Sequence, residues 1–275
     1  MKIGYIIVNE SLKKDKKFLK LVKQLEGASY ELYEIKSKAD IRPETDLAMS
    51  IGGDGTFLTA AQLVSDVGIP IMGVNFGRLG FLSENTPDAV LPALMEGDFS
   101  IEYTDMLNAT VRGKNARKDI GLLPYAVNDI AIHRIGGSVL GINVAINGVA
   151  LPTYWADGLI VATSSGSTAY SLSVGGPICM PGAKVLIITP IAPHNLNVRP
   201  LVVPDNSKIS ISIEARDEKA TLTMDNKTVE IDSSWTVEVA VAQFSLKRIR
   251  LADSEFVKAL TSKLFWGEDI RNNSI

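Results

Sequence analysis

The first hundred residues alternate between two hydrophobic patterns, one typical of buried strands and one typical of amphipathic helices. The apolar runs "KIGYIIV", "DLAMSI" and "PIMGV" predict strands. Between them, "KKFLKLVKQL" predicts a helix, whose apolar stripe consists of Phe18, Leu19, Val22 and Leu25. "PDAVLPALMEG" predicts a helix that is opened by Pro87 and closed by Gly97. Such alternation is typical of a parallel sheet with helices on both faces.

From about Phe99 the pattern changes to period two, which is typical of strands with one buried face. "GINVAINGVALPTYWADGLIVAT" holds two alternating runs joined by Asn147-Gly148, a strong hairpin signal. The same alternation continues in "KISISIEA", "ATLTMDNKTVEI" and "WTVEVAVAQFSLKRIRLA". This half therefore predicts an all-β domain, built as a sandwich or a barrel.

The C-terminal stretch "SEFVKALTSKLFWG" returns to helical spacing, with Phe256, Leu260 and Leu264 on one face. We therefore expect an α/β fold in two parts. Residues 1–100 form an α/β domain with a parallel sheet, and residues 101–252 form an all-β, sandwich-like domain. A C-terminal helix within 253–275 is expected to pack back on the first domain.

Composition narrows the class of protein. Lys and Arg total 28 and Asp and Glu total 31, a net charge of −3, which argues against a general nucleic-acid binder. Cys179 is the single cysteine, so no intramolecular disulfide can form and a reducing compartment is favoured. No apolar run approaches membrane-spanning length. We expect a cytoplasmic protein with neither a nucleic acid nor a membrane as partner.

The stretch "SIGGDGTFLTAA", residues 50–61, places three glycines and one carboxylate where a predicted strand turns into a predicted helix. Backbone N–H groups at a helix N-terminus bind anions, and glycine lets a phosphate approach because no Cβ stands in the way. A carboxylate repels phosphates unless it has another task. Asp54 could accept a proton from an attacking hydroxyl, or hold a Mg²⁺ ion that bridges the phosphates. The alternative is an ordinary turn in which Asp54 or Thr56 caps the helix.

Other phosphate and metal motifs do not compete with this turn. The sequence has no G-x-x-x-x-G-K-[ST] loop, no G-x-G-x-x-G fingerprint after a strand, and no protein-kinase motif set. His133 and His194 stand apart from any cysteine or acidic cluster at ligand spacing, so we expect no zinc site. The serines of "SSGS" have no histidine partner for a hydrolase triad.

Two further segments suit a nucleotide. "TSSGSTAYSLSVGGP", residues 163–177, combines hydroxyls, glycines and an aromatic ring, which fit an adenosine group; the alternative is a flexible linker. "AVNDIAIH" places Asn128 and Asp129 at the start of an apolar strand. An Asn-Asp pair can hold ribose hydroxyls through charge-assisted hydrogen bonds, and the alternative is an Asx-type turn.

These segments together resemble the bacterial NAD kinases. The motifs occur in that family's order over most of the chain: "GGDGT" at Gly52, "GRLGFL" at Gly77, "ND" at Asn128, "ADG" at Ala156 and "SGSTAYSLSVGGP" at Ser165. Lipid kinases and phosphofructokinases carry similar Gly-Gly-Asp-Gly turns, whereas the Ser-Thr-Ala-Tyr segment is specific. The family's two-domain layout agrees with the pattern of strands and helices.

The resemblance implies transfer of the ATP γ-phosphate to the adenosine 2′-hydroxyl of NAD, giving NADP. It implies that Asp54 is the catalytic carboxylate, and that Mg²⁺ is bound through the phosphates and possibly by Asp54. The implied phosphate-binding residues are Gly52, Gly53, Gly55 and Thr56. The implied NAD-binding residues are Asp54, Gly55, Asn128, Asp129, Asp157, Thr168, Ala169, Tyr170, Ser171, Leu172, Ser173, Ala192 and Asp225.

Within that set, Asn128 and Asp129 would hold the adenosine ribose, and residues 168–173 would line the adenine pocket. Asp157 and Ala192 would lie near the nicotinamide half. In this family that half is completed across a subunit interface, so the resemblance also implies a homodimer or a homotetramer.

The chain departs from the family pattern near Asp157 and at residues 224–226. Many members carry Arg or another polar residue shortly before the first "DG", where this chain has "YWADG", and the later "VDG" is "MDN" here. Because Asn tolerates φ > 0 almost as Gly does, an Asp-Asn turn can preserve the hairpin. Arg78 could clamp a phosphate, but relatives place His there, so no catalytic role is assigned to it.

Two other functions stay open on the sequence. A lipid kinase of the diacylglycerol type would use a similar glycine turn, although the only amphipathic candidate for a membrane surface is "FLKLVKQL". A non-catalytic NADP-binding regulator could keep the fold, although binding alone gains nothing from a carboxylate beside phosphates. Formation of NADP from Mg-ATP and NAD separates the three functions.

Overall fold

The computed structural model describes residues 1–77, 80–113, 124–215, 219–251 and 256–266. The chain divides into two compact units. The first comprises Met1–Tyr103 and Leu246–Ile275, and the second Thr104–Ser245. Both crossings between the units fall inside long strands, Phe99–Arg112 and Thr236–Leu251, and not in turns.

The first unit is an α/β structure. Its strands and helices in chain order are β1 (Lys2–Ile7), α1 (Lys16–Gly27), β2 (Glu31–Glu34), β3 (Leu47–Gly52), α2 (Asp54–Val64), β4 (Ile71–Asn75), α3 (Pro87–Glu96) and the start of β5 (Phe99–Arg112). The end of a late strand, which is β17 in chain order (Thr236–Leu251), and α5 (Phe256–Leu264) complete it.

The sheet of this unit is parallel, with the strand order β17–β4–β3–β1–β2. Both β3 and β4 are buried at every position, because helices cover both faces. Met72 and Val74 pack in one cluster with side chains of α1 and α3, whereas the intervening Gly73 faces Phe57 of α2. Since side chains alternate along a strand, α2 lies on the opposite face. The predicted parallel sheet with helices on both faces is confirmed.

Two helix predictions had different outcomes. The helix opened by Pro87 is confirmed, and it ends at Gly97, which takes the left-handed conformation at φ 70°. The predicted stripe of α1 is wrong at Leu19, which is 52% exposed, and it missed Leu21, which is 1% exposed. The stripe follows positions 18, 21 and 25 because the helix packs along its i, i+3, i+7 row.

The second unit is built from strands. Its further elements in chain order are β6 (Tyr125–Ala126), β7 (Asp129–Arg134), β8 (Leu140–Ile146), β9 (Val149–Ala150), β10 (Tyr154–Ala156), β11 (Gly158–Thr163), α4 (Tyr170–Ser173), β12 (Val185–Ile191), β13 (Leu201–Pro204), β14 (Ile209–Glu214), β15 (Lys219–Met224) and β16 (Lys227–Asp232).

Two antiparallel sheets form the predicted sandwich, which is confirmed. One sheet contains the run β10–β8–β14–β17, and the other has the order β13–β12–β11–β7–β15–β16. One apolar cluster joins inward-facing residues of both, among them Ile142 and Ile211 of the first sheet and Ile130, Leu159 and Leu222 of the second. The period-two pattern therefore reflects one face of each strand in a shared core.

The turns of this unit follow the sequence signals. Asn147 and Gly148 connect β8 and β9 with positive φ at both residues, as a type I′ hairpin requires. The hairpin between β15 and β16 is also present, but Asp225 rather than Asn226 takes the left-handed conformation. The segment after β11 is no linker, because it forms a 3₁₀ helix at Ser165–Thr168 and then, after Ala169, the helix α4.

The C-terminal helix packs on the first unit, as expected. The Phe256 ring of α5 lies against the Phe81 ring with centroids 6.3 Å apart. The described part of the chain contains no helix that is both long and apolar enough to span a membrane.

The corrected stripe of α1 predicts a contrast between two leucines. Leu21→Ala should lower the free energy of unfolding by about 2–5 kcal/mol, because it leaves a cavity under the helix. Leu19→Ala should change it by about 0.5 kcal/mol or less, because that side chain is exposed. Urea denaturation followed by circular dichroism measures both; equal losses would contradict the packing of α1.

Candidate active site

The predicted phosphate turn lies at the carboxyl edge of the parallel sheet, between β3 and α2. Gly52 ends β3 with φ 152°, and a Cβ at this position would clash with the side chain of Thr56. The helix begins at Asp54, and its N-cap is Gly53, which has no side chain to cap it. The alternative in which Asp54 or Thr56 is the N-cap is therefore wrong.

At two positions of the turn, neither packing nor backbone conformation within the protein requires glycine. A Cβ built on Gly53 or on Gly55 would meet no atom of the described chain within 4 Å. Gly53 has φ −99°, which any residue adopts, and Gly55 lies within the first turn of α2. The missing side chains leave the helix N-terminus open to an approaching group, and the positive end of the helix dipole favours an anion there.

The Asp54 carboxylate is held by three backbone amides from a segment that follows β4. The N–H of Phe81 donates to Oδ2 at 2.9 Å, and those of Leu82 and Ser83 donate to Oδ1 at 3.1 and 2.8 Å. We call residues 80–83 the carboxylate-binding segment. Hydrogen bonds to an ionised acceptor are stronger than neutral ones, so the segment and the carboxylate fix each other.

The end of β4 anchors this segment. The Asn75 side-chain amide donates to the Ser83 carbonyl at 2.8 Å, and the Ser83 hydroxyl donates to the Gly52 carbonyl at 3.1 Å. Gly80 comes so close to Asp54 that a Cβ there would clash with the carboxylate. The part of "GRLGFL" that the structure describes therefore supports the glycine turn, while Arg78 lies outside the described residues.

In the second unit, strand pairing gathers most predicted NAD-binding residues at one end of a sheet. β7 pairs antiparallel with both β11 and β15, so the start of β7 lies beside the ends of its two neighbours. Asp129 stands opposite Ala162, and Met224 stands opposite Ile130. This brings Asn128 and Asp129 together with the 165–173 segment and the turn that carries Asp225.

Asp225 is the centre of this cluster. Its carboxylate accepts hydrogen bonds from the N–H groups of Val127, Asn128 and Asp129, at 2.8, 2.8 and 3.3 Å. The left-handed φ of 52° at Asp225 belongs to the turn that delivers the carboxylate. Burial raises the pKa of Asp225 to about 6, although the three amides act in the opposite direction.

Asp129 is the second acidic group, and it is 4% exposed. Burial, together with the nearby charge of Asp225, raises its pKa to about 7, although the backbone N–H of Tyr170 acts in the opposite direction. A carboxyl with this pKa can accept or donate a hydrogen bond near neutral pH.

The aromatic ring of the segment lies on the same face of the sheet. Asp129, Ala131 and His133 point to one face of β7, because alternate residues of a strand share a face. The Tyr170 ring stacks on the His133 ring with centroids 5.6 Å apart and an interplanar angle of 18°. Tyr170 is 38% exposed. Burial lowers the pKa of His133, so the stack presents a neutral aromatic surface.

The other residues of the 168–173 segment differ in exposure. Thr168, Ala169 and Leu172 are partly buried, and Ser173 is exposed. Ser171 is fully buried, and its hydroxyl is 3.1 Å from the Thr189 hydroxyl. Close packing holds the segment in place, since a Cβ on Gly166 would clash with the Asn128 backbone.

Asp157 and Ala192 lie at the opposite end of the same strands. Gly158 at the start of β11 stands opposite Ile191 at the end of β12, and Ala192 follows with φ 45°. Asp157 pairs with Arg134, whose Nε is 2.7 Å from Oδ1. Asp157 is five residues from Ala162 along β11, a span of about 17 Å.

Several residues of these sites escaped the sequence analysis. His133 was considered only as a metal ligand, although its period-two spacing from Asp129 places both on one face. The amide donors of residues 81–83 are backbone groups, so no side-chain pattern in the sequence indicates them.

Among the described residues, no group of three or more His, Cys, Asp or Glu side chains could hold a metal ion.

Sequence comparison matches most of the chain to two family descriptions. Residues 4–99 match the ATP-NAD kinase N-terminal domain, and residues 127–251 match the ATP-NAD kinase C-terminal domain. The NAD kinase of Flavobacterium psychrophilum is 37% identical over 262 residues, covering 94% of this chain and 88% of that protein. The NAD kinase of Porphyromonas gingivalis is 42% identical over 238 residues, covering 84% and 80%.

Solved structures share the fold. The crystal structure of yeast NADH kinase complexed with NADH has a TM-score of 0.86 at 24% identity, covering 98% of this chain and 89% of that chain. The crystal structure of an NAD kinase from Archaeoglobus fulgidus in complex with ATP has a TM-score of 0.75 at 26% identity, covering 92% and 95%.

The buried acid on β7 predicts a pH-dependent stability. Because its pKa is raised on folding, Asp129 binds more protons in the folded state, and stability falls as the pH rises from about 4 to about 7. Asp129→Asn removes this titration and keeps an oxygen for the Tyr170 N–H. The variant should therefore gain melting temperature relative to the wild type as the pH rises from 5 to 8.

Thermal unfolding across this pH range measures the effect. Asp98→Asn is the matched control, because Asp98 is exposed in the first unit. A melting-temperature difference between wild type and Asp129→Asn that is the same at every pH would contradict a buried carboxylate at this position.

Proposed function

The chain belongs to the ATP-NAD kinase family, and on this premise we propose that it transfers the γ-phosphate of ATP to the adenosine 2′-hydroxyl of NAD, giving NADP. One observation carries the proposal most directly. A helix N-terminus is left open by glycines that the fold does not require, and a carboxylate beside it is fixed by three amides. This combination suits phosphoryl transfer to a hydroxyl better than it suits binding alone.

The phosphates of the donor are proposed to bind at the turn before α2. Gly53 and Gly55 leave room for phosphate oxygens, and Gly52 and Thr56 shape the turn around them. The helix dipole and the backbone donors supply positive potential at this turn through main-chain groups, where a P-loop would use a lysine. This agrees with the absence of a P-loop motif from the sequence.

Asp54 is proposed to orient the 2′-hydroxyl and to accept its proton. Oδ1 accepts two of the three hydrogen bonds from the backbone amides and Oδ2 accepts one. Oδ2 is therefore the oxygen with more capacity to accept a hydrogen bond from a hydroxyl. Because the transition state is loose, orientation of the hydroxyl matters as much as basicity.

Mg²⁺ is proposed to enter with the phosphates of ATP. When bound it would neutralise phosphate charge, with phosphate oxygens as its main ligands and Asp54 as the protein carboxylate within the same turn. The donor set fits this role better than a resident metal site, because three amides already occupy most of the acceptor positions of the Asp54 carboxylate.

The adenosine half of NAD is proposed to bind at the acidic end of β7. Asn128 and Asp129 would hold the ribose, and the exposed part of Tyr170 would stack on the adenine, with His133 behind its ring. The other predicted contacts in the 168–173 segment remain proposals. Ser171 would act through packing, since its hydroxyl is buried against Thr189.

The nicotinamide half is proposed to lie near Asp157 and Ala192. The span of about 17 Å along β11 gives an extended dinucleotide room to reach from one group to the other. A homodimer or homotetramer in which a second copy completes this half is part of the proposal. The exposed Trp155 and Leu196, at 43% and 87%, offer apolar surface for such a contact. The cytoplasmic location stays a prediction.

The family assignment favours NAD over a lipid as the acceptor. A single assay tests the function: purified protein is incubated with Mg-ATP and NAD, and NADP is quantified with a dehydrogenase specific for it. NADP formation supports the kinase. Binding of NADP without turnover would instead support the non-catalytic regulator, and phosphorylation of diacylglycerol alone would support the lipid kinase.

The role of Asp54 predicts a large loss of turnover in Asp54→Asn. The amide side chain can keep one oxygen toward Leu82 and Ser83, but its NH₂ group then faces the Phe81 N–H and cannot accept a proton. We expect kcat to fall by roughly 10² or more, with NAD affinity within about an order of magnitude of the wild type. Steady-state kinetics and NAD titration measure both.

The matched control is Asp98→Asn, which removes an exposed carboxylate from the same unit and should keep wild-type kcat. Circular dichroism confirms the fold of each variant. A folded Asp54→Asn enzyme that retains more than about a tenth of the wild-type kcat would remove Asp54 from catalysis.

A further inference from the structure

The carbonyl side of the carboxylate-binding segment is held by two cations from the C-terminal part of the chain. Nη2 of Arg248, near the end of β17, donates to the carbonyls of Phe81 and Leu82 at 2.8 and 3.2 Å. Nζ of Lys263, on α5, donates to the Gly80 carbonyl. All of these residues belong to the first unit.

Each of these carbonyls shares a peptide group with one of the amides that bind Asp54. The Gly80 carbonyl and the Phe81 N–H form one peptide group, which joins Lys263 to Oδ2. The next two peptide groups join Arg248 to Oδ1 through the amides of Leu82 and Ser83. Three successive peptide dipoles thus point from a cation toward the carboxylate. Hydrogen bonds arranged in such a chain polarise and strengthen one another.

The two cations differ in what else holds them. Arg248 is 8% exposed and bonds Glu84 at 2.7 Å, within an ion cluster that also includes Glu102 and Arg250. Removal of a partner from a buried cluster of this kind destabilises a fold strongly. Lys263 is half-buried and lies outside this ion cluster. Besides the Gly80 carbonyl, its Nζ contacts the Phe81 ring, whose centroid is 4.8 Å away. Lys263 is therefore the cation whose contribution can be tested alone.

We propose that Lys263 is a positioning residue of the phosphoryl transfer, acting through the Gly80–Phe81 peptide group on Oδ2 of Asp54. The proposal rests on the proposed role of Asp54, and it extends the active site to the C-terminal helix. Lys263 holds the Gly80–Phe81 peptide group, which donates to Oδ2 of Asp54. Oδ2 accepts fewer hydrogen bonds than Oδ1, and it is the oxygen proposed to accept from the substrate hydroxyl. Burial lowers the pKa of Lys263, and the charges of Glu84 and Asp54 act in the opposite direction, which agrees with a cation that faces the carboxylate.

The test substitutes Lys263 and separates turnover from binding. Lys263→Met keeps the apolar stem and helix propensity but removes the donor and the charge. We expect kcat to fall by about tenfold, a part of the roughly 10²-fold that a misplacement of 1 Å can cause. KM for ATP and for NAD should stay within about twofold, because Lys263 contacts neither substrate. Lys263→Arg keeps charge and donor and should recover most of the kcat.

A double substitution distinguishes action through Asp54 from action on a phosphate. In an Asp54→Asn background, Lys263→Met should change kcat by less than about twofold, because the Oδ2 acceptor is gone. Single-turnover assays at high enzyme concentration give the small rates. Equal effects in both backgrounds, or a raised KM for ATP with an unchanged kcat, would overturn the proposal, since Lys263 would then act on the substrate itself.

Two controls keep the result specific. Lys258→Met removes an exposed lysine of the same helix and should keep the wild-type kcat. Lys263→Gln, which keeps a neutral donor, serves in place of the methionine variant should that variant fail to fold. If folded Lys263→Met keeps the wild-type kcat while Asp54→Asn is inactive, the role of Lys263 is wrong but the proposed role of Asp54 stands. High activity of Asp54→Asn overturns the proposed function of Asp54 first.

Discussion

The bonding of one carboxylate by three consecutive backbone amides is the constraint around which the first unit is arranged. Asp54 stands at a helix N-terminus where an anion is favoured, and the proposed function requires its carboxylate to keep one direction while phosphates bind beside it. Donors from residues 81–83 meet that requirement. A parallel sheet makes the contact possible, because the carboxyl ends of neighbouring strands, Gly52 of β3 and Asn75 of β4, lie side by side.

In the second unit, three consecutive backbone amides likewise bind one carboxylate. Asp225 accepts hydrogen bonds from three amides at the start of β7, as Asp54 does from three amides in the segment after β4. The consequences differ, because Asp225 is buried beside a second carboxyl, Asp129, and both have raised pKa values. Two buried acids at one strand end are unfavourable for folding at neutral pH, and such shifted pKa values are common at functional sites, which agrees with the proposed NAD-binding role.

The sequence predicted much of this where the signal is local. The strand, glycine turn and helix around Asp54, the sandwich, the hairpin at Asn147-Gly148 and the helix cap at Gly97 all follow from patterns within a few residues. The partners of Asp54 could not be predicted, because they lie 27 to 29 residues away and donate through backbone groups, which every sequence offers. The buried face of α1 could not be predicted for the same reason. Its sequence is compatible with an apolar stripe through Leu19 or through Leu21, and only packing against the rest of the unit decides that Leu21 is buried.

Amide hydrogen exchange measured by NMR can show whether three amides of residues 81–83 hold the Asp54 carboxylate. In the wild type, the amides of Phe81, Leu82 and Ser83 should be protected although they lie outside regular strands and helices. In Asp54→Asn, the Phe81 amide should lose at least about tenfold of its protection, while amides in the core of β3 keep theirs. Unchanged protection of the Phe81 amide in a folded Asp54→Asn variant would show that Asp54 does not hold this amide.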